Sequence, residues 1–198
     1  MLSHIALERV IEMSSGTLLD VGSGPGEHAL RFAEAGIDVT AIDIVDNCPA
    51  HDRINFIQSN WDSQGFVGTF DIVWCSHVLE HQLNVNDFLL WLKDSLKDDG
   101  ILAITVPPMK HEIVSGHYTV WNAGLLVYNL VMAGFDCKEA QILSYGYNIS
   151  VIVMKKEIHL PELKYHYGDI SNMKEFFPKH TVFVGDTFFG DIQQTNWG

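Results

Sequence analysis

The stretch Leu18–Gly26, Leu-Leu-Asp-Val-Gly-Ser-Gly-Pro-Gly, decides the fold of this chain. It begins in a short apolar run, Thr17–Val21, that stops at closely spaced glycines, as a buried strand does where it ends in a turn. Glu27–Ala35 follows with a helical pattern and is closed by Gly36, a residue that favours the position after a helix. Glycine lets a backbone turn tightly and approach a ligand without a Cβ in the way. The sequence therefore predicts a strand, a ligand-binding turn and a helix.

Strand and helix patterns alternate through most of the chain. Periodicity predicts further helices at Leu2–Met13, Asn84–Lys97 and Trp121–Ala133, and strands at Asp38–Ile44, Ile54–Ser59, Phe70–Ser76, Ile101–Val106, Lys138–Leu143 and Ile149–Met154. Phe70–Ser76 is apolar on both faces, which is typical of a parallel sheet. The turn between the last two strands is too short for a helical crossover, so these strands should be antiparallel. We expect an α/β fold: a Rossmann-like, doubly wound, mostly parallel sheet with an antiparallel closing strand.

The composition changes after Glu157. We expect one ligand-binding domain over residues 1–157 and an irregular, aromatic-rich C-terminal extension over residues 158–198. Its aromatic side chains are too many to leave in water without a risk of aggregation. The extension should therefore lie against the domain or against a second subunit of a homodimer.

Charge and composition narrow the class of partner. The 198 residues include 25 Asp and Glu but 12 Lys and Arg, which gives a formal net charge of −13. Because proteins that grip nucleic acid need a basic patch, we expect a small-molecule partner and no nucleic acid. No apolar run approaches the ~20 residues of a membrane helix, and the first residues do not resemble a secretory signal, so we expect no membrane partner and a cytoplasmic location. The three cysteines fit neither a disulfide framework nor a Cys-x-x-Cys metal site.

An acidic residue accompanies the glycine turn at each of two strand ends. Asp43 ends the next predicted strand, about twenty residues on, where a carboxylate can accept the hydroxyl protons of a ribose. A dinucleotide site would need Gly-x-Gly-x-x-Gly, but Glu27 stands where the third glycine would be. Asp20, beside the turn, would repel a pyrophosphate but can hold an ammonium group. This combination suits the methionine end of S-adenosylmethionine and argues against a nucleotide-dependent oxidoreductase.

Five motifs together resemble the class I S-adenosylmethionine-dependent methyltransferases over roughly residues 15–155. They are Leu18–Gly26, Ile42–Ile44, Phe70–Val73, Val78–His81 and Leu96–Leu102. The resemblance is closest to the small-molecule group that carries Leu-Glu-His after the fourth strand. It implies S-adenosyl-L-methionine as cofactor, with Asp20, Gly22, Gly24 and Gly26 along the methionine moiety, Asp43 on the ribose and Ile44 against the adenine.

The resemblance also marks the third and fourth strand ends. The family usually has an Asp after the third strand that faces the adenine amino group. Asn60 occupies that place here, with Asp62 as a rival, and Trp61 either stacks on the adenine ring or only covers the core. Ser76 leaves the carboxyl end of the fourth strand, where open α/β sheets place their ligands, so we count it among the cofactor-binding candidates.

Histidines cluster at the predicted strand ends. His77, Glu80 and His81 stand at i, i+3 and i+4, so on a helical turn they would share one face. They form a general base with its orienting carboxylate, a site for a divalent metal, or a purely structural group. His117 joins His77 and His81 as a candidate catalytic residue, because it follows the next strand along the chain. A neutral imidazole, with a pKa near ~6.5, can remove a hydroxyl proton.

These residues predict methyl transfer to a small polar acceptor, on an oxygen of a sugar, a sugar nucleotide or a phosphate-bearing metabolite. Short methyltransferases of the kind that the chain resembles often serve polysaccharide or secondary-metabolite pathways. The alternative is a module that binds S-adenosylmethionine without catalysis.

Overall fold

The computed structural model describes residues 2–65, 67–165 and 167–198. Within these ranges the α-helices are α1 (His4–Met13), α2 (Glu27–Glu34), α3 (Trp61–Gln64), α4 (Val85–Asp94), α5 (Ala123–Met132) and α6 (Asp169–Asn172). The strands are β1 (Thr17–Val21), β2 (Asp38–Asp43), β3 (Ile54–Gln58), β4 (Phe70–Ser76), β5 (Leu96–Val106), β6 (Gln141–Tyr145), β7 (Asn148–Met154), β8 (Phe183–Val184), β9 (Thr187–Phe188) and β10 (Gln194–Thr195). Short 3₁₀ turns occur at Leu79–His81 and Lys174–Phe176. Of the helices described, none is long and apolar enough to cross a bilayer.

Eight of these strands form one sheet in the order β10-β6-β7-β5-β4-β1-β2-β3, while β8 and β9 form a separate hairpin. Strands β1 to β5 run parallel to one another, and β7 runs antiparallel to both β5 and β6. The predicted doubly wound, mostly parallel sheet with an antiparallel closing strand is therefore confirmed. The strand order reverses between β1 and β4, and this reversal is where open α/β sheets leave a crevice for ligands.

Strand β4 shows how the sheet is buried on both faces. Ile72 and Trp74 point toward the face that α1 and α2 cover, and Val73 and Cys75 point toward the face of α4 and α5. None of these side chains retains any solvent-exposed area. Each buried large apolar side chain stabilises the fold by about 1.5–3 kcal/mol, so the centre of the sheet is a firm base for the strand ends.

The C-terminal extension packs on the α4 and α5 side of the sheet. Met173 and Phe177 are fully buried in that core, and the Phe177 ring lies edge-on to Phe188, 5.1 Å between centroids. Strand β10 adds to the sheet edge by pairing antiparallel with β6. Residues 158–198 thus contribute both core side chains and a strand to the same sheet.

Two buried carboxylates hold the turns of this extension. Asp169 accepts hydrogen bonds from the backbone N–H groups of Lys164 and Tyr165, and Asp186 accepts one from Ser171 at 2.7 Å. Side chains that satisfy backbone donors in this way let an irregular segment adopt one conformation.

Several predicted element boundaries are wrong. The strand predicted at Lys138–Leu143 is β6, which begins at Gln141 and ends at Tyr145. The helix predicted at Asn84–Lys97 ends at Asp94, and β5 already begins at Leu96, which pairs with Phe70. Leu96 continues the apolar spacing of the helix and is fully buried, so its pattern fits both elements. Within β5, a register shift between Leu96 and Ile101 and the positive φ of Asp99, 59°, interrupt the strand before its regular part.

The helix predicted at Trp121–Ala133 begins later, at Ala123. Asn122 caps it, because its Oδ1 accepts a hydrogen bond from the backbone N–H of Leu125 at 2.8 Å. Trp121 instead forms an isolated bridge with Pro108, so its backbone pairs with the segment just after β5 and is not part of the helix.

Replacing Phe177 by Ala should lower the free energy of unfolding by about 3–5 kcal/mol, because it leaves a cavity among aromatic rings that the extension shares with the domain core. Phe189→Ala is the matched control, since that ring is 73% exposed. Urea unfolding followed by circular dichroism measures both. Equal midpoints for the two variants would show that the extension does not belong to the cooperative core.

Candidate functional site

A cavity of about 350 Å³ opens at the carboxyl ends of the strands beside the β1–β4 reversal. Strand ends and the loops that follow them supply its lining: Val21, Gly22, Ile42, Asp43, Ile44, Ser59, Asn60, Trp61, His77, Val78, His81 and Gln82. The volume lies within the range of ~300–1,000 Å³ that small-molecule sites occupy.

The glycine turn reaches the cavity at Gly22. Gly22 and Gly26 have φ values of 68° and 74°, and a Cβ on either would come within 2.4 Å of Val78 or Pro49 respectively. Gly24 also has a positive φ, 52°, but faces open space, and its N–H donates to Asp43 Oδ2 at 2.8 Å. The first and third glycines therefore serve close backbone packing, and the middle one is tied to the acidic residue of β2.

The two predicted carboxylates play different roles around the turn. Asp43 is half-buried, and its Oδ1 accepts the backbone N–H of Val45 at 3.0 Å. Asp20 is 1% exposed, and its Oδ2 has no hydrogen-bond partner in the described structure. Burial, reinforced by the charge of Asp43 and opposed by a backbone hydrogen bond from Ala29, raises the pKa of Asp20 to about 7. A cation nearby would stabilise the charged form of this buried carboxylate.

The structure places most of the predicted adenine-side residues in the cavity lining. Ile44 is 66% exposed there, and Asn60 and Trp61 follow β3. The Trp61 indole lies edge-on to Phe88, 5.2 Å between centroids, so one part of the ring packs on the core while the residue lines the cavity. Gln82 was not predicted: its Oε1 accepts the Trp61 indole N–H at 2.8 Å.

Five predicted cofactor-binding residues lie outside this lining: Asp20, Gly24 and Gly26 in and beside the glycine turn, and Asp62 and Ser76. Asp62 is exposed and its Oδ1 accepts a hydrogen bond from Ser63 at 3.0 Å. Ser76 Oγ is 2.7 Å from Ser3 Oγ, so the hydroxyl joins β4 to the segment before α1. In the structure described, Asn60 rather than Asp62 occupies the cavity after β3.

His77 does not sit on the helical turn that the i, i+3, i+4 spacing predicted. Its φ is 58°, and the 3₁₀ turn begins only at Leu79. Its Nε2 is 2.9 Å from Asn148 Oδ1, and the amide orientation is set because Asn148 Nδ2 donates to the Tyr145 carbonyl. The His77 Nε2 must therefore donate its proton to Asn148.

The second nitrogen of His77 faces an acceptor as well. Nδ1 is 3.3 Å from Glu80 Oε1, and the Glu80 carboxylate is 1% exposed with Oε2 unpartnered in the described structure. Burial opposes the charged form, but the hydrogen bonds to Glu80 and Asn148 outweigh it and raise the pKa of His77. With both nitrogens facing acceptors, the ring is suited to a fixed imidazolium that pairs with Glu80 and is poorly suited to take a proton.

His81 has the opposite arrangement. Its Nδ1 is 2.8 Å from the carbonyl oxygen of Gly116, which can only accept, so Nδ1 carries the proton. In the neutral ring Nε2 then holds an electron pair, and it lies 3.9 Å from Glu80 Oε1. His81 lines the cavity with 44% of its side chain exposed. It is the histidine whose geometry suits a general base.

His117 lies beside His81, with their ring centroids 5.0 Å apart and the planes perpendicular. Glu80, His81 and His117 can each offer a ligand atom within 4.8 Å of the others, an arrangement that could hold a divalent cation. This trio differs from the predicted His77, Glu80 and His81, because His77 is engaged by Asn148. Tyr118 fixes the Glu80 backbone through a 2.8 Å hydrogen bond, which brings the His117 loop to the site.

The site fits S-adenosylmethionine by the chemistry of its donors. A cationic, ribose-bearing ligand matches a buried carboxylate with an unpartnered oxygen, a second carboxylate at the next strand end, and apolar side chains on the β3 side. Gln82 and Asn148 completed the site without being predicted. Gln82 directly follows the Leu-Glu-His motif, and Asn148 stands at a strand end beside the same edge of the sheet, so proximity to those two signals could have found them.

Comparison with known proteins agrees with this geometry. The chain matches a family model described as a methyltransferase domain over residues 5–130. A ubiquinone biosynthesis O-methyltransferase of Rickettsia canadensis is 33% identical over 133 residues, which covers 58% of this chain and 56% of that protein. The chain thus spans about half the length of the curated relatives that it matches.

Solved structures share the fold. A Burkholderia thailandensis 1,6-didemethyltoxoflavin-N1-methyltransferase, bound to 1,6-didemethyltoxoflavin and S-adenosylhomocysteine, superposes with a TM-score of 0.67 at 20% identity and covers 78% of each chain. The [4+2]-cyclase SpnF superposes with a TM-score of 0.58 at 26% identity, over 72% of this chain and 58% of its own. Because the second of these proteins is named a cyclase, the shared fold alone does not decide the reaction.

Asp20→Asn tests the buried carboxylate. Because folding raises the pKa of Asp20, the native state holds its proton more tightly than the unfolded state, and stability falls as pH rises from about 4 to about 7. The Asn variant lacks this loss, so its melting temperature relative to wild type should be higher at pH 8 than at pH 4.5. Asp98→Asn, at an exposed position, is the control and should show no such pH-dependent difference. A constant offset between wild type and Asp20→Asn across pH would contradict the assignment.

Proposed function

This chain belongs to the class I S-adenosylmethionine-dependent methyltransferases, and on that premise we propose that it transfers the cofactor's methyl group to a hydroxyl oxygen of a small polar molecule. The observation that carries the proposal is the hydrogen bond of His81 Nδ1 to the Gly116 carbonyl, which leaves Nε2 of the neutral ring as an acceptor in the lining of the cofactor cavity. An oxygen acceptor must lose a proton as the methyl group arrives, and this nitrogen can receive it. The relatives named O-methyltransferases support the choice of oxygen.

The residues of the cavity divide the work of holding the cofactor. Asp43 would accept hydrogen bonds from the ribose hydroxyls, since a carboxylate has lone pairs left after binding two backbone N–H groups. Asp20, which is buried beside the glycine turn and outside the cavity lining, would pair with the ammonium group, while Ile44 and Trp61 offer apolar surface to the adenine. When bound, S-adenosylmethionine supplies an electrophilic methyl group on a sulfonium.

His81 would receive the proton of the acceptor hydroxyl, and the groups around it hold it in place. The Gly116 carbonyl fixes the tautomer of His81, and the charge on Glu80 stabilises His81 once it is protonated. His77 holds Glu80 in place through its own hydrogen bond. Alignment of the reacting groups supplies much of the rate in such a displacement, so a rigid frame of this kind contributes directly to catalysis.

The acceptor class in this proposal is a hydroxylated metabolite: a sugar, a sugar nucleotide or a phosphate-bearing compound, as in polysaccharide biosynthesis. The polar, histidine-bearing mouth supports it. The name of the Rickettsia relatives raises a phenolic or quinol-type acceptor as the competing class, which an acceptor panel separates.

A divalent metal is a second route to the same deprotonation. The trio Glu80, His81 and His117 favours it, because an ion there would lower the pKa of a bound hydroxyl. We favour the base, since Glu80 is already paired with His77 and a neutral His81 needs no ion to accept a proton.

Replacing His81 by Ala should lower kcat by about 10²–10⁴ while the Kd for S-adenosylmethionine changes little. His180→Ala, an exposed histidine of the extension, serves as control. Release of S-adenosylhomocysteine with a panel of polar and phenolic acceptors measures turnover. Full activity of the His81 variant would rule out the base, and activity that EDTA abolishes and a divalent ion restores would assign the metal route.

Replacing Asp43 by Ala should weaken S-adenosylmethionine binding tenfold or more, because the ribose loses a charged acceptor. Isothermal titration calorimetry measures the Kd, with Asp46→Ala as a control at an exposed neighbouring carboxylate. If the wild-type protein bound no S-adenosylmethionine, the proposed function would fail.

A further inference from the structure

We propose that a second cavity, walled in part by the C-terminal extension, binds the acceptor and that Asp191 selects a neutral, hydroxyl-rich group such as a sugar ring over a phosphorylated one. The inference rests on the proposed function and deepens it, since it chooses among the acceptor classes. Most of the residues around that cavity, Asp191 among them, lie beyond residues 5–130, which the family model matches.

The second cavity has a volume of about 510 Å³, larger than that of the cofactor cavity. Four parts of the chain meet around it: the end of β5, the start of α5, the turn between β6 and β7, and the extension before β10. Its lining residues are Pro108, Met109, Trp121, Asn122, Ala123, Ser144, Tyr145, Gly146, Asn148, Ile149, Asp191 and Gln193.

Its position suits a reaction partner of the cofactor. Asn148 lines this cavity and hydrogen-bonds His77, which lines the cofactor cavity, so the linings of the two cavities are in direct contact. Pro108 and Met109 are shared with a narrower cleft whose lining includes His117. An acceptor in the second cavity therefore lies beside the residues that surround His81.

The charge of the lining sets the class of acceptor. Asp191 is its one charged side chain among the residues that the structure describes, and the lining contains no Lys, Arg or His. One Asp191 oxygen accepts a hydrogen bond from Gln193, which leaves the other oxygen for a ligand. A carboxylate accepts hydroxyl donors well and repels a phosphate, and the net charge of −13 adds to that repulsion.

The extension holds Asp191 at the cavity from both sides. On the N-terminal side of Asp191, the carbonyl of Gly190 accepts a hydrogen bond from the backbone N–H of Gly124 at 2.8 Å. On its C-terminal side, the carbonyl of Gln193 accepts one from the backbone N–H of Ser144, also at 2.8 Å. Gly124 and Gly190 cross so closely that a Cβ on Gly124 would lie 2.4 Å from the Gly190 Cα. The two glycines thus allow the segment that carries Asp191 to lie directly on the start of α5, which fixes the backbone at Asp191.

The test of the acceptor class uses the full chain and methyl-labelled S-adenosylmethionine. A bacterial small-molecule extract is divided into neutral, anionic, cationic and lipid-soluble fractions, and each is incubated with the protein. We expect labelled product in the neutral polar fraction. Label in the anionic or the cationic fraction would overturn the inference and leave the proposed function standing. Label confined to the lipid-soluble fraction, or no label in any fraction with cofactor binding intact, would overturn both.

Variants locate the effect at Asp191. With the labelled fraction as acceptor, Asp191→Asn should raise the apparent KM about tenfold or more, while the Kd for S-adenosylmethionine stays within twofold of wild type. Glu175→Gln, at an exposed carboxylate elsewhere in the extension, should match wild type in both. Gly124→Ala should raise the KM in the same way, because its Cβ would displace the segment that carries Asp191. An unchanged KM in Asp191→Asn would overturn the role of Asp191, and this substitution at an exposed position leaves the core intact.

Discussion

The reversal of strand order between β1 and β4 is the constraint on which the site depends. Because the chain leaves β1 in one direction along the sheet and later returns on its other side, the loops after these strands diverge and leave a crevice. Asp20 lies in β1 and the glycine turn follows that strand. Asp43 ends β2, and the segment from His77 to His81 follows β4. Side chains far apart in the sequence meet there because all parallel strands present their carboxyl ends to the same edge.

Acidic groups lie in and beside this crevice. Asp43 lines it, while Asp20 in β1 and Glu80 in the turn after β4 are almost fully buried next to it. Such a site binds a positively charged ligand more tightly than an uncharged one of the same shape. His77 offsets part of the charge by donating to Glu80. The arrangement is consistent with a cofactor that is cationic before the reaction and has lost its sulfonium charge afterwards.

The sequence predicted those features that local patterns encode. The glycine turn, the two-faced burial of β4 and the antiparallel closing strand follow from residue type, spacing and loop length. The end of α4 could not be predicted in this way, because Leu96 fits the apolar spacing of a helix but is buried in a strand. The role of His77 could not be predicted from the sequence either, since its positive φ and its hydrogen bond to Asn148, 71 residues away, depend on the packed sheet.

The pairing of β10 with β6 also bears on how the protein behaves at high concentration. Without β10, strand β6 would be an outer strand with a row of free N–H and C=O groups, the kind of surface that templates pairing between molecules. Gln194 and Thr195 occupy that edge opposite Leu143 and Ile142, and as a two-residue strand they present little edge of their own. The segment that walls the second cavity thereby also protects the sheet from edge-to-edge aggregation.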